Sequence, residues 1–306
     1  MWDAAGKSLA PSDLRGHILA SLFRPGFVRS LAENRHLGII QEMGLMPFAQ
    51  AGTSIAELFE WAYDRLNQTY RCEYVYKNEI LHKRVLSQEH PSLTAIASEF
   101  LIGNNRLDLL VINGTTVAYE IKTGYDDLER LPVQMAAYLS VFDRVSVVCD
   151  PAFVDRVKSV VDERIGIVAL TPNGSMPNIR PSISNVENVD PVATFDLLRA
   201  TEYVPEAQRL FGVMLDVPNT QRRRAYLEYF KTLSSEVAHD VLLRSLRARF
   251  ADRQSHLVNS LPNSMVQMYY EANARTRSAF FGINSLNRPL LDKTGSKDEL
   301  FSGPSR

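Results

Sequence analysis

The sequence predicts a mixed α/β domain followed by a mostly helical region. Three observations carry this reading: strand-like alternation over about Ala97–Lys122, the turn dipeptide Asn113-Gly114 within it, and helical spacing between the strand-like segments that follow. A chain of 306 residues has ample capacity for a core, and two domains are the expectation. Hydrophobic residues at 45% and charged residues at 23% place it among folded globular proteins.

Near the start, "SDLRGHILASLF" offers Ser12 or Asp13 as a helix cap, then Leu14, Ile18, Leu19 and Leu22 at helical spacing. Helices are also read in "SIAELFEWAYDRLNQTY" and in "CEYVYKNEILHKRVLS", where Tyr76, Ile80, Lys83 and Leu86 recur every three to four residues. The period then changes. "ASEFLIG" and "RLDLLVI" read as strands joined by the Gly-Asn-Asn turn at 103–105, and "TVAYEIK" follows the Asn113-Gly114 turn. A helix is expected in "DDLERLPVQMAAYLSVFD", with Pro132 tolerable in a first turn. "RVSVVCD" and "GIVAL" are two further strands around a helix in "PAFVDRVKSVVDER". The Pro-, Asn- and Ser-rich stretch from Thr171 to Pro191 is expected to be a linker or an excursion around the sheet.

Composition narrows the function. No run of about 18 apolar residues and no signal-peptide pattern occur, so no membrane contact and a cytoplasmic location are expected. Cys72 and Cys149 stand in no zinc-ligand spacing and read as reduced thiols. There is no phosphate-binding GxxxxGK[ST] loop, no HExxH and no GxSxG; the string KDEL at 297–300 is internal. A net charge of −1 gives no overall attraction to polyanions, but Arg209–Arg253 holds nine basic against five acidic residues. That excess is either a solvated helical surface or a phosphate-binding face, with Arg222 to Arg224 as its candidate contacts.

The chemistry concentrates in "NNRLDLLVINGTTVAYEIKTG". Glu120 and Lys122 are two apart on a strand and share a face, opposite Val117, Tyr119 and Ile121. Asp108 lies on the preceding strand. If the turn pairs Ile112 with Thr115, Leu107 rather than Asp108 faces Glu120, and convergence needs a bulge or a splay. Ions among aliphatic neighbours cost several kcal/mol each unless compensated, and a divalent cation compensates them. Asp108, Glu120 and the Ile121 carbonyl form a hard oxygen set suited to Mg2+ or Mn2+. Lys122 then neutralises developing charge or helps deprotonate an attacking water. The competing reading of a Glu-x-Lys triplet is a surface ion pair.

"RLDLLVING" and "VAYEIKTG" resemble the core of the PD-(D/E)XK nuclease superfamily, with Asp108, Glu120 and Lys122 on its motif positions and Leu107 replacing the proline. "LPVQMAAY" resembles the glutamine-x-x-x-tyrosine element of RecB-like members, onto which Gln134 and Tyr138 fall; Tyr138 is alternatively a core aromatic. The span from about Asp13 to Asp150 resembles a family of largely uncharacterised bacterial proteins assigned to that superfamily. The resemblance implies a restriction-endonuclease-like mixed sheet flanked by helices, in a core at 61–175. An N-terminal helical segment at 1–60, a mostly helical region at 176–292 and a loose tail at 293–306 complete the expected division. It implies a Mg2+-dependent deoxyribonuclease, with Gln134, Tyr138 and Arg130 holding DNA. An assisting acid on the first core helix would be Glu73, favoured, or Glu79. The alternative is a non-catalytic nucleic-acid-binding or complex-forming subunit on the same fold, and a protein partner or homo-oligomer is compatible with either. A third reading makes Asp108, Glu120 and Lys122 a buried ion-pair network without catalysis.

Overall fold

A computed structural model describes residues 13–87, 94–250, 258, 261–272, 286–287 and 289–290. Ser12, the tail at 293–306, the KDEL string and Arg253 lie outside the described residues. No helix among the described residues is long and apolar enough to cross a membrane. The chain divides into two units, 79–256 and 1–78 with 257–306, and the division falls within one helix.

The first unit is helical: α1 (Asp13–Ser21), α2 (Pro25–Ala32), α3 (Leu37–Glu42), α4 (Met46–Gln50), α5 (Ile55–Thr69) and most of α6 (Glu73–Ile80). The start of α5 is fixed locally. Ser54 Oγ accepts from the Glu57 N–H (3.2 Å) while the Glu57 carboxylate accepts from the Ser54 N–H (2.7 Å), closing a capping box. Leu58, Phe59, Ala62 and Leu66 then repeat at helical spacing and are fully buried. Residues 261–272 join this unit through polar bonds. Tyr74 donates to the Ser264 carbonyl (2.6 Å), Asn78 to the Asn263 carbonyl (2.7 Å), and Ser264 to Glu60 (2.6 Å).

The second unit is built on a six-stranded sheet in the order β1 (Ala95–Ile102), β2 (Asn105–Ile112), β3 (Thr116–Lys122), β4 (Arg144–Cys149), β5 (Gly166–Ala169) and β6 (Asn178–Arg180). β1 to β3 are antiparallel, β3 to β5 parallel, and β6 returns antiparallel. The parallel pairs require crossovers, supplied by α7 (Leu131–Leu139) and α8 (Val154–Val160). The five expected strands are present and the sixth was not foreseen. It comes from the Pro- and Asn-rich stretch, which is an excursion around the sheet: Arg180 ties it down by donating to the Ile165 (2.8 Å) and Asp162 (2.9 Å) carbonyls. The helix read in Cys72–Ser87 continues past α6 as a π-helical stretch, Leu81–Leu86.

The hairpin register also differs from the expectation. Ile112 pairs with Thr116, not Thr115, so the loop holds three residues with Gly114 at φ +71°. Thr115 leaves the ladder because its hydroxyl donates to Asp143 (2.7 Å). The shift of one residue puts Asp108 in register with Glu120, immediately beyond the last pair, Leu109 with Tyr119.

Four more helices follow: α9 (Pro191–Asp196), α10 (Ala200–Phe211), α11 (Asn219–Phe230) and α12 (Ser235–Phe250). Phe195, Tyr226, Phe230, Val241 and Leu242 enter the same core as Leu110, Ala118, Val145 and Ile167 of the sheet. Burying each such large side chain contributes about 1.5–3 kcal/mol, which is why these helices join the sheet instead of standing apart. Much of the basic excess of this region is spent in ion pairs: Arg209 and Arg244 on Glu206, Arg249 on Glu202, Arg223 on Asp196 and Lys231 on Glu228.

At the entry edge of β3 and β4 a buried polar cluster holds the loops. Asp143 accepts from Thr115, Ser184 and the Asn185 N–H, and Thr116 Oγ1 accepts from the Asp143 N–H (3.0 Å) and meets His239 Nε2 (3.0 Å). Burial lowers the His239 pKa from 6.5, with Asp143 and Asp240 opposing. The unfolded chain therefore takes up a proton that the folded chain refuses. Stability is full above the unfolded value of 6.5 and falls as pH drops through it towards the lower folded value. Thermal unfolding followed from about pH 7 to about pH 5 should show a smaller loss of Tm in His239→Gln than in the unsubstituted protein.

Candidate active site

Glu120 is the most demanding residue of the sheet, a carboxylate 2% exposed on the face that carries Ala118 into the core. α7 crosses that face and presents Gln134 and Tyr138, four apart and therefore on one side of the helix. Gln134 Nε2 donates to Glu120 Oε1 at 2.6 Å, Lys122 Nζ donates to the same oxygen at 3.0 Å, and the Tyr138 hydroxyl donates to Oε2 at 2.9 Å. Lys122 also donates to Gln134 Oε1 at 3.2 Å. Each polar side chain thus fixes the next.

The electrostatics follow from burial. Loss of solvent raises the Glu120 carboxyl above its usual range, while Lys122, Tyr138 and Gln134 pull it back. Burial and the adjacent Glu120 drive the Tyr138 phenol far upward, so it stays protonated and acts as a donor. Charge-assisted bonds of this kind offset the cost of taking the carboxylate out of water.

Asp108 is half-buried, and its Oδ2 accepts from the Ile121 N–H at 2.6 Å. The carboxylate takes the role that a ladder carbonyl would fill, and the two strands splay there. Ile121, expected to offer its carbonyl, is held through its N–H; its side chain is buried. Glu120, Lys122, Gln134 and Tyr138 therefore come together at the exit end of β3, and Asp108 reaches that end through the Ile121 N–H. Gln134 and Tyr138 are buried against Glu120 instead of facing outward, so they position the cluster. Arg130 stands exposed at the N-cap of α7. Glu73 lies in the helical unit and pairs with Lys77 (2.5 Å), whereas Glu79 belongs to the sheet unit and pairs with Lys83 (2.7 Å).

Sequence reasoning missed Glu99. Ser98 pairs with Leu109 and Phe100 with Leu107, which places Glu99 in register with Asp108, and carboxylate oxygens of the two lie within 4.8 Å of one another. Its backbone is left-handed, φ +56°, a conformation that costs a residue with a side chain about 1–3 kcal/mol. The signal was available in the turn: pairing Ile102 with Asn105 across Gly103-Asn104 fixes the register of the whole hairpin. The donor set, all carboxylate oxygen, suits a hard divalent cation such as Mg2+ or Mn2+.

Fold and site together define a mixed α/β protein with a buried acid–lysine–glutamine–tyrosine cluster at one end of its sheet. The profile of the family described as Bacteriophage P4 protein cII matches residues 66–269, about two thirds of the chain, and the chain belongs to that family. Protein cII of Enterobacteria phage P4 is 37% identical over 82 residues, which cover 26% of this chain and 31% of that protein. The chain thus matches less than a third of the relative's length. Among solved structures, a Silicibacter pomeroyi protein of unknown function is similar at a TM-score of 0.27 and 16% identity, covering 41% of this chain and 86% of that one. A likeness that slight bears no weight here.

Removing one donor from the buried carboxylate tests the cluster. Tyr138→Phe should lower folding stability by about 1.5–3 kcal/mol in denaturant unfolding, the cost of a lost hydrogen bond to a charged group.

Proposed function

We propose that this chain is a Mg2+- or Mn2+-dependent nuclease that hydrolyses DNA phosphodiester bonds. The observation that carries the proposal is Lys122 fixed beside Glu120, with Asp108 in register across the hairpin. This supports the motif resemblance of "RLDLLVING" and "VAYEIKTG". Asp108, Glu120 and the Ile121 carbonyl would hold the cation, which when bound supplies Lewis-acid polarisation of the phosphate. Lys122 orients the attacking water and neutralises charge developing on phosphorus-bound oxygen. A bond forms from the water oxygen to phosphorus as that water gives up a proton to solvent, the bond from phosphorus to the leaving sugar oxygen breaks, and that oxygen takes a proton from solvent. Gln134 and Tyr138 keep Glu120 and Lys122 in place, and Arg130 is an exposed cation available for a phosphate contact.

A second reading has its own support. Both oxygens of Glu120 already accept from protein donors, an arrangement that suits a DNA-binding or complex-forming subunit that does not turn over. Incubation with linear, circular and single-stranded DNA plus Mg2+ or Mn2+ separates the two. Nuclease action predicts cleavage that falls on the order of 10²–10³-fold in Lys122→Ala, with circular dichroism unchanged. DNA retention without cleavage, indifferent to metal, supports the subunit, and cleavage undiminished in Lys122→Ala sinks the nuclease.

A further inference from the structure

The loop that leaves β3 places an aromatic ring in solvent three residues after Lys122. Tyr125 is 62% exposed, although it stands between two residues that the core holds, Thr123 and Leu128. An exposed ring on a slack loop needs no explanation, but this loop is pinned. Asp126 Oδ2 accepts from the Thr123 N–H at 2.7 Å and from the Thr123 hydroxyl at 2.8 Å. The Asp126 N–H donates back to the Thr123 carbonyl at 3.2 Å, and the Tyr125 N–H donates to Thr123 Oγ1 at 3.3 Å. The polar groups of the turn bond to one another and the ring is held outward, so a ligand that stacks on it need order little more of the chain.

Charge decides what the ring can meet. Tyr125–Arg130 holds three acids, Asp126, Asp127 and Glu129, against Arg130, a net charge of −2, and all four are exposed. Phosphate is repelled there, whereas the face of an uncharged base is not. A duplex brings the phosphates of both strands and keeps its base faces stacked inside. A single strand can turn its phosphates to Lys122 and Arg130 and lay a base on the ring. Three residues of chain hold the Cα atoms of Lys122 and Tyr125 within about 11 Å, so that base belongs to a nucleotide close to the phosphate Lys122 serves.

We propose that Tyr125 is the platform on which an unpaired base stacks beside the scissile phosphate, and that the substrate is single-stranded DNA. The inference rests on the nuclease reading and names its substrate class.

Fluorescence anisotropy of labelled oligothymidylate and of a duplex of equal length, without metal, reads binding; cleavage of both is read with Mn2+. Tyr125→Ala should weaken single-strand binding about five- to a hundredfold, and Tyr125→Phe, which keeps the ring, should stay within about twofold of the unsubstituted protein. Met214→Ala, which removes another exposed apolar side chain, should leave binding unchanged, and melting temperatures should be unaltered throughout. If single-stranded DNA is cleaved and Lys122→Ala suppresses the cleavage, but Tyr125→Ala binds the strand undiminished, the inference is overturned and the nuclease reading stands. Duplex cut in preference to the single strand overturns it likewise. If neither DNA is bound or cleaved, both fall.

Discussion

The position of a single carboxylate, Glu120, sets the demands on everything around it. An ion on the covered face of a sheet is tolerable only when its oxygens are met by donors that the fold itself holds still. Lys122 meets it from the same strand, and Gln134 and Tyr138 meet it from the crossover helix. That helix is where it is because β3 and β4 are parallel and must be joined across a face. The local polar chemistry and the sheet topology are therefore one constraint. Tyr138 shows this most directly: its ring belongs to the core, and its hydroxyl belongs to the cluster.

The two ends of β3 are fixed by different means. At the entry end Asp143 gathers Thr115, Ser184 and Asn185, a network of satisfied bonds that sets loop length and, through Thr115, the hairpin register. At the exit end the acids crowd together, a strand residue adopts an unfavourable backbone conformation, and a side chain replaces a ladder carbonyl. Strain concentrated at one end and relieved at the other is the distribution expected when the first end is kept for chemistry.

How much of this could be read from the sequence depended on the range of the interaction involved. Five strands follow from alternation and turn dipeptides, because those are local. The sixth is three residues long, with no alternation to detect, and exists because Arg180 reaches back to Ile165 and Asp162. Asp108, Glu120 and Lys122 were legible from motif spacing, but their register was not, since a Thr115–Asp143 bond across 28 residues decided it. The shared face of Gln134 and Tyr138 followed from their spacing; that the face turns inward depends on the sheet beneath. Glu99 looks like an ordinary strand residue until the register of both strands is laid side by side.

The basic stretch from Arg209 onward shows why a local charge count misleads. Glu202, Glu206 and Asp196, which pair with Arg249, Arg209, Arg244 and Arg223, lie upstream of the counted window, so most of the excess is offset once the helices pack. This bears on where a polyanion would be met. Arginines committed to packing α10 against α12 cannot also release counterions from a phosphate backbone. The helices α9 to α12 are instead the cover of the sheet, and the family match through residue 269 includes them with the strands that they bury. On the nuclease reading, cations near the exit end of β3 offer phosphate contacts of their own, where Lys122 is fixed by its neighbours and Arg106 and Arg130 are exposed.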